Sequence, residues 1–97
     1  MHSLLRENTG AQSDRIRVVI VDDHPAIREA LSDTINSAMG MEVVGQASTA
    51  AEAFRLIEKE RPTVAVVDIS LEDAHGLDLV QNIRAQFPEV LVVIFSM

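Results

Sequence analysis

Two adjacent carboxylates, Asp22 and Asp23, follow the aliphatic run "VVIV" at 18–21. A third, Asp68, follows another, "VAVV" at 64–67, and the hydroxyl of Ser96 follows "VLVVIF" at 90–95. Unit charges about 4 Å apart repel by about 4 kcal/mol at an effective dielectric near 20. That is a large share of the roughly 5–15 kcal/mol that holds a small domain together. If folding gathers these acids, a shifted proton, a nearby base or a bound cation must compensate. Apart from Arg28, no Lys or Arg lies near either motif. A hard dication suits the residue types better, since Mg2+ takes one or two carboxylates, several waters and a phosphate oxygen.

Strands must carry these groups to one place. "IRVVIV" (16–21) is short, β-branched and nearly continuous, which predicts a buried strand. Pro25 suits the first turn of a helix. Ile27, Ala30, Leu31, Ile35, Ala38 and Met39 then recur at helical spacing, and Gly40 is a stop signal. "EVVGQA" (42–47) predicts a second strand. "TAAE" (49–52) matches a capping box ahead of Ala53, Phe54, Leu56 and Ile57, and Pro62 ends that helix. "TVAVVDIS" (63–70) predicts a third strand. Gly76 opens a third helix with Leu77, Val80 and Ile83 as core, Pro88 breaks it, and "EVLVVIFS" (89–96) predicts a fourth strand. Strand alternating with helix predicts right-handed crossovers and a parallel α/β sheet with helices on both faces. Ligands sit at the carboxyl edge of such sheets. A strand order of 2-1-3-4 sets the Asp pair directly beside Asp68.

The stretches "VVIVDDHPAIREAL", "VVGQAS", "VVDISLEDAHGLDLV" and "VLVVIFS" resemble the receiver domain of two-component response regulators. "DDHP" and "VVGQAS" resemble the NarL/FixJ (LuxR-type) group, whose members usually end in a helix-turn-helix DNA-binding domain. The resemblance covers residues 16–96. It implies a flavodoxin-like doubly wound sheet in the order 2-1-3-4, with the fifth strand and the last two helices missing. It implies that Asp68 accepts a phosphoryl group from a histidine kinase or a small phosphodonor. It implies that Asp22, Asp23, Asp68 and the backbone carbonyl of Ser70 hold Mg2+, that Ser96 is the switch hydroxyl, and that Gly76 lets the loop after Asp68 turn tightly. Kinase docking would fall on the first helix, around His24, Pro25, Ile27 and Arg28. Two departures stand out. Glu72 occupies a position where the family usually has proline, and the family's lysine after a fifth strand has no counterpart, Lys59 being far from the motifs. The domain expectation is a flexible tail over 1–14 and an incomplete receiver domain over 15–97.

Other residues read more simply. Asp23, placed before His-Pro, is expected to cap the first helix. Arg15 and Arg17 are expected to be solvated, and Ser70 to be a turn residue using only its backbone. His24 and His75 are expected at the surface, since no third nitrogen or sulfur ligand has zinc spacing.

The chain has 97 residues, 47% of them apolar, enough for one small domain. A net charge of −7 argues against this segment gripping nucleic acid by itself. It has no cysteine, which fits a cytoplasmic protein. The longest apolar run has six residues, at 90–95, against about twenty for a membrane span. The four glycines form neither a dinucleotide fingerprint nor a phosphate loop. A phosphorylation-silent protein-interaction module or a truncated fragment is the alternative function. A haloacid dehalogenase-type phosphatase is weaker, because the position two after Asp68 is Ser70. No enzymatic activity is expected beyond self-phosphorylation and self-dephosphorylation. A fourth strand without cover predicts a swapped or edge-paired homodimer.

Overall fold

The computed structural model describes residues 15–71 and 76–96. The tail 1–14, Glu72, His75 and Met97 lie outside the described residues. The elements are β1 (Ile16–Val21), α1 (Pro25–Ser37), β2 (Met41–Ala47), α2 (Ala50–Glu60), β3 (Val64–Asp68), α3 (Gly76–Gln86) and β4 (Leu91–Phe95). The four strands form one parallel sheet in the order β2-β1-β3-β4, as the alternation predicts. The chain first steps from β1 to β2 on one side, then returns past β1 to β3. With right-handed crossovers, α1 therefore lies on one face and α2 and α3 on the other.

The α2/α3 face holds the main core. Val19, Val21, Ala65 and Val67 meet Ala53, Ile57, Leu79, Val80, Ile83 and Phe87, all buried. The opposite face buries Val18 and Ile20, yet no residue of α1 itself is fully buried. The α1 helix stops at Ser37, and Gly40 takes the left-handed backbone (φ 82°) that turns the chain into β2. Met39 therefore falls beyond the helix and is fully solvated rather than part of its apolar stripe. On α3 the buried stripe is Leu79, Val80 and Ile83, and Leu77 is exposed. Phe87, just past the helix, is buried and packs on Phe54 (ring centroids 5.1 Å apart).

Arg17 is not simply solvated. Its guanidinium donates to the Glu60 and Arg61 carbonyls (2.6 and 3.2 Å) and pairs with Glu60 Oε1 at 2.7 Å. A cation there satisfies carbonyls that the end of α2 leaves without helical partners.

The N-terminus of α2 is capped as "TAAE" predicts, with one variation. Thr49 Oγ1 accepts the Glu52 N–H at 3.1 Å, but Glu52 Oε1 accepts from the Ser48 N–H and Ser48 hydroxyl, both at 3.0 Å. These hydrogen bonds favour the carboxylate, the backbone one most, and hold the Glu52 pKa below its ordinary 4.5. A depressed folded pKa contributes stability that is complete above the ordinary value and is lost as the pH falls through the folded one. Urea unfolding between about pH 6 and about pH 3 is expected to show a flatter profile for Glu52→Gln than for the unsubstituted chain. Identical profiles would remove the cap from the acid response.

Candidate functional site

The register builds the site. Val21 pairs with Val67, so the next residues along, Asp22 and Asp68, stand side by side at the carboxyl edge. Asp68 pairs in turn with Phe95 of β4. Asp22 and Asp68 are completely buried. Asp22, Asp23, His24 and Asp68 each offer a ligand atom, all within 4.8 Å of one another. The expectation that two separate stretches bring their acids together is met.

Each carboxylate is held by its own loop. Asp22 Oδ1 accepts the His24 N–H at 2.9 Å. Asp68 Oδ1 accepts both the Ser70 N–H (2.9 Å) and the Ser70 hydroxyl (2.7 Å), so Ser70 uses its side chain as well as its backbone. These donors fix each carboxylate's rotation. The second oxygens, Asp22 Oδ2 and Asp68 Oδ2, are buried and accept no hydrogen bond among the described residues. Buried anionic oxygens without donors are costly, and a dication is the partner their chemistry suits. The donor set therefore fits Mg2+.

One expectation about the β1–α1 turn is corrected, and another, the surface position of His24, is met without its contacts having been foreseen. The N-cap of α1 is His24, not Asp23, and it makes no side-chain capping bond. Pro25 at the first helical position has no N–H to be capped, and the Asp22 carboxylate takes the His24 N–H instead. Nor is His24 an ordinary surface histidine. Its side chain is 53% exposed, yet Nδ1 lies 2.7 Å from Asp22 Oδ1, 2.9 Å from Asp23 Oδ1 and 3.9 Å from Asp68 Oδ2. The Asp22 hydrogen bond, aided by the charges of Asp23, Asp22 and Asp68, raises the His24 pKa above its ordinary value against a smaller opposing effect of burial. Sequence reasoning missed this residue; the available signal was a histidine directly after two acids and locked before a proline.

Arg28 donates to the Asp22 carbonyl at 2.7 Å and tethers the turn to α1. Ser96 stands one residue past Phe95 and is exposed, with no hydrogen bond to the acidic cluster among the described residues. Gly76 lies against the Asp68–Ile69 main chain. A Cβ there would come within 2.4 Å of Ile69 Cα and 2.7 Å of the Asp68 carbonyl oxygen.

A doubly wound parallel sheet with an acidic pocket over β1 and β3 defines an α/β domain whose site lies at the carboxyl ends of its strands. The family model for the response regulator receiver domain matches residues 18–97, and the chain belongs to that family. It is 33% identical over 81 residues to the DNA-binding transcriptional activator DevR/DosR of Mycobacterium tuberculosis, covering 84% of this chain and 37% of that protein. It is 35% identical over 83 residues to a protein-glutamate methylesterase/protein-glutamine glutaminase of Pyrococcus abyssi, covering 86% of this chain and 23% of that one. A LuxR-family two-component response regulator from Aurantimonas sp. SI85-9A1 superposes with a TM-score of 0.81 at 34% identity, covering 86% of this chain and 59% of that one. The response regulator domain of Thermotoga maritima CheB does so with a TM-score of 0.79 at 32% identity, covering 84% and 60%. The chain thus spans little more than a third of one of these curated relatives and under a quarter of the other. No helix among the described residues is long and apolar enough to cross a membrane.

Proposed function

We propose that the chain is a phosphoacceptor in a two-component signalling pathway, with Asp68 as the accepting residue. The observation that carries this is the Asp68 carboxylate, fully buried at the tip of β3, with Oδ1 held by two donors from Ser70 and Oδ2 accepting none. An Asp68 oxygen bonds to phosphorus as the bond from phosphorus to the donor's nitrogen or oxygen breaks, and the electron pair leaves with the donor. Asp22, Asp23, Asp68 and the Ser70 backbone carbonyl would hold Mg2+, which when bound neutralises charge on the transferring phosphoryl group. Ser96, next to the strand partner of Asp68, is the hydroxyl that turns inward to donate to a phosphoryl oxygen. The phosphoryl donor is a sensor histidine kinase, docking along the first turns of α1. In a longer regulator the acylphosphate would govern an output domain, DNA binding among the options, as the name of DevR/DosR supports.

Incubation with Mg2+ and acetyl phosphate tests this directly. Intact-mass measurement is expected to show one added, acid-labile phosphoryl group that is absent from Asp68→Asn and absent without Mg2+. The same phosphoryl load on Asp68→Asn would end the assignment.

A second copy of the chain is a further partner. Among the described residues β4 is one edge of the sheet, and Leu91, Val93 and Ile94 on it are 62%, 45% and 44% exposed. An edge that combines unpaired main-chain groups with exposed aliphatic side chains is a template for strand pairing. Two copies related by a two-fold axis satisfy both needs at once. Sedimentation equilibrium is expected to show a concentration-dependent monomer–dimer exchange, which Val93→Lys shifts toward monomer by at least about tenfold in Kd. A monomer at every accessible concentration would dismiss the pairing.

A further inference from the structure

We infer that His24 supplies a nitrogen ligand to the cation pocket, so that the site favours transition dications that accept imidazole over Mg2+. This rests on the acidic pocket being a cation site, as proposed above, and adds to it the class of ion. Two independent observations converge. Asp22 and Asp68 are wholly buried, and each keeps one oxygen without a hydrogen-bond donor among the described residues. His24 Nδ1 enters the same pocket from the loop, although most of the neighbouring turn faces water.

The spacing suits a shared ion. Six-coordinate sites with bonds of about 2.1 Å place adjacent donors about 3.0 Å apart and opposite donors about 4.2 Å apart. The separations of Nδ1 from Asp22 Oδ1, Asp23 Oδ1 and Asp68 Oδ2 are 2.7, 2.9 and 3.9 Å. With the proton of the Asp22 hydrogen bond released to water as an ion enters, Nδ1 stands as a neighbouring vertex to the first two oxygens and near the opposite vertex to the third. The position is not left to a free side chain. The His24 N–H is bound to Asp22, the carbonyl of His24 accepts the Ile27 and Arg28 N–H groups at 3.1 Å, and Pro25 fixes the next backbone angle. Oxygen ligands alone separate Mg2+ from Mn2+ only weakly, whereas an imidazole adds affinity for first-row transition ions, Mn2+ among them, and little for Mg2+. The exposed half of the ring leaves room for water or a phosphoryl oxygen on the remaining positions.

The test uses Mn2+ and Mg2+ on the full 97-residue chain. Calorimetric titration is expected to show His24→Gln weakening Mn2+ binding by about tenfold while Mg2+ binding changes by less than about twofold. Pulsed electron paramagnetic resonance of the Mn2+-loaded chain is expected to show modulation from a directly bound nitrogen. That signal should vanish in His24→Gln and persist in His2→Gln and His75→Gln. Should His24→Gln fail to fold, the signal from the unsubstituted chain, with and without 15N-histidine, decides by itself. Tight binding of both ions with no nitrogen modulation overturns the inference and leaves the oxygen pocket standing. No binding of either ion, unchanged by Asp22→Asn, overturns the pocket as well.

Discussion

Adding Mg2+ at about 100 times its dissociation constant is expected to stabilise the chain by about 2.7 kcal/mol. For a domain of this size that raises the unfolding midpoint by roughly 10–20 °C. The physical source is the pocket itself. Asp22 and Asp68 are buried to the last atom, and one oxygen of each has no donor among the described residues. Without a cation, folding brings like charges together in a desolvated place, and His24 Nδ1, 3.9 Å from Asp68 Oδ2, offsets only part of the repulsion. Asp68→Asn is therefore expected to make the metal-free protein more stable, by about 1–3 kcal/mol, a fraction of the roughly 4 kcal/mol between close unit charges at an effective dielectric near 20. The same substitution should erase most of the Mg2+ response. Most buried substitutions destabilise, so a gain in stability points to stored electrostatic cost. Thermal unfolding followed by circular dichroism, in a chelator and in Mg2+, measures both. A less stable Asp68→Asn with an undiminished Mg2+ shift would mean that Asp68 is an ordinary buried residue.

The parts of this site that the sequence makes legible are those set by period and order. An aliphatic run that stops at a carboxylate marks a strand and its carboxyl end together, and three crossovers of one hand leave few ways to order four strands. Those two facts put Asp22 beside Asp68, as the register of Val21 with Val67 bears out. What stays illegible depends on side-chain torsion or on phase. A period of 3.6 tolerates either Leu77 or Leu79 on the inner face of α3, and only packing into the core cluster shared with α2 selects Leu79. Arg17 lies on a strand edge that looks solvated until the end of α2 arrives beside it. Nothing in "DDHP" states which way the imidazole turns, because the pocket it turns into is completed only by Asp68, 44 positions further along the chain. The Ser70 hydroxyl is hidden for the same reason: its partner Asp68 is local, but the need for a donor there arises only once Asp68 is buried.

Gly76→Ala is expected to cost about 3 kcal/mol or more, at the upper end of what added methyl groups cost in a packed interior. The constraint is space rather than backbone conformation, since among the described glycines only Gly40 has a positive φ. A methyl group at position 76 would lie 2.4 Å from Ile69 Cα, 2.7 Å from the Asp68 carbonyl oxygen and 2.8 Å from the Ile69 carbonyl carbon. All three are main-chain atoms, so no rotamer change relieves the overlap. Either α3 moves out, which breaks the Gly76 N–H bond to the Ile69 carbonyl (3.3 Å), or the tip of β3 moves, which carries Asp68 with it. Gly45→Ala is the control, because the three atoms nearest its Cβ would all belong to the side chain of Leu56, at 2.7–3.2 Å, which can turn away. That variant should lose no more than about 1 kcal/mol and keep its phosphoryl acceptance. Gly76→Ala, by contrast, should lose acceptance by about a hundredfold even at temperatures where circular dichroism shows it folded, because displacement of a reacting group by about 1 Å costs on that order. A Gly76→Ala chain as stable and as readily phosphorylated as the Gly45→Ala control would show that the Asp68 loop is not held in place by the start of α3.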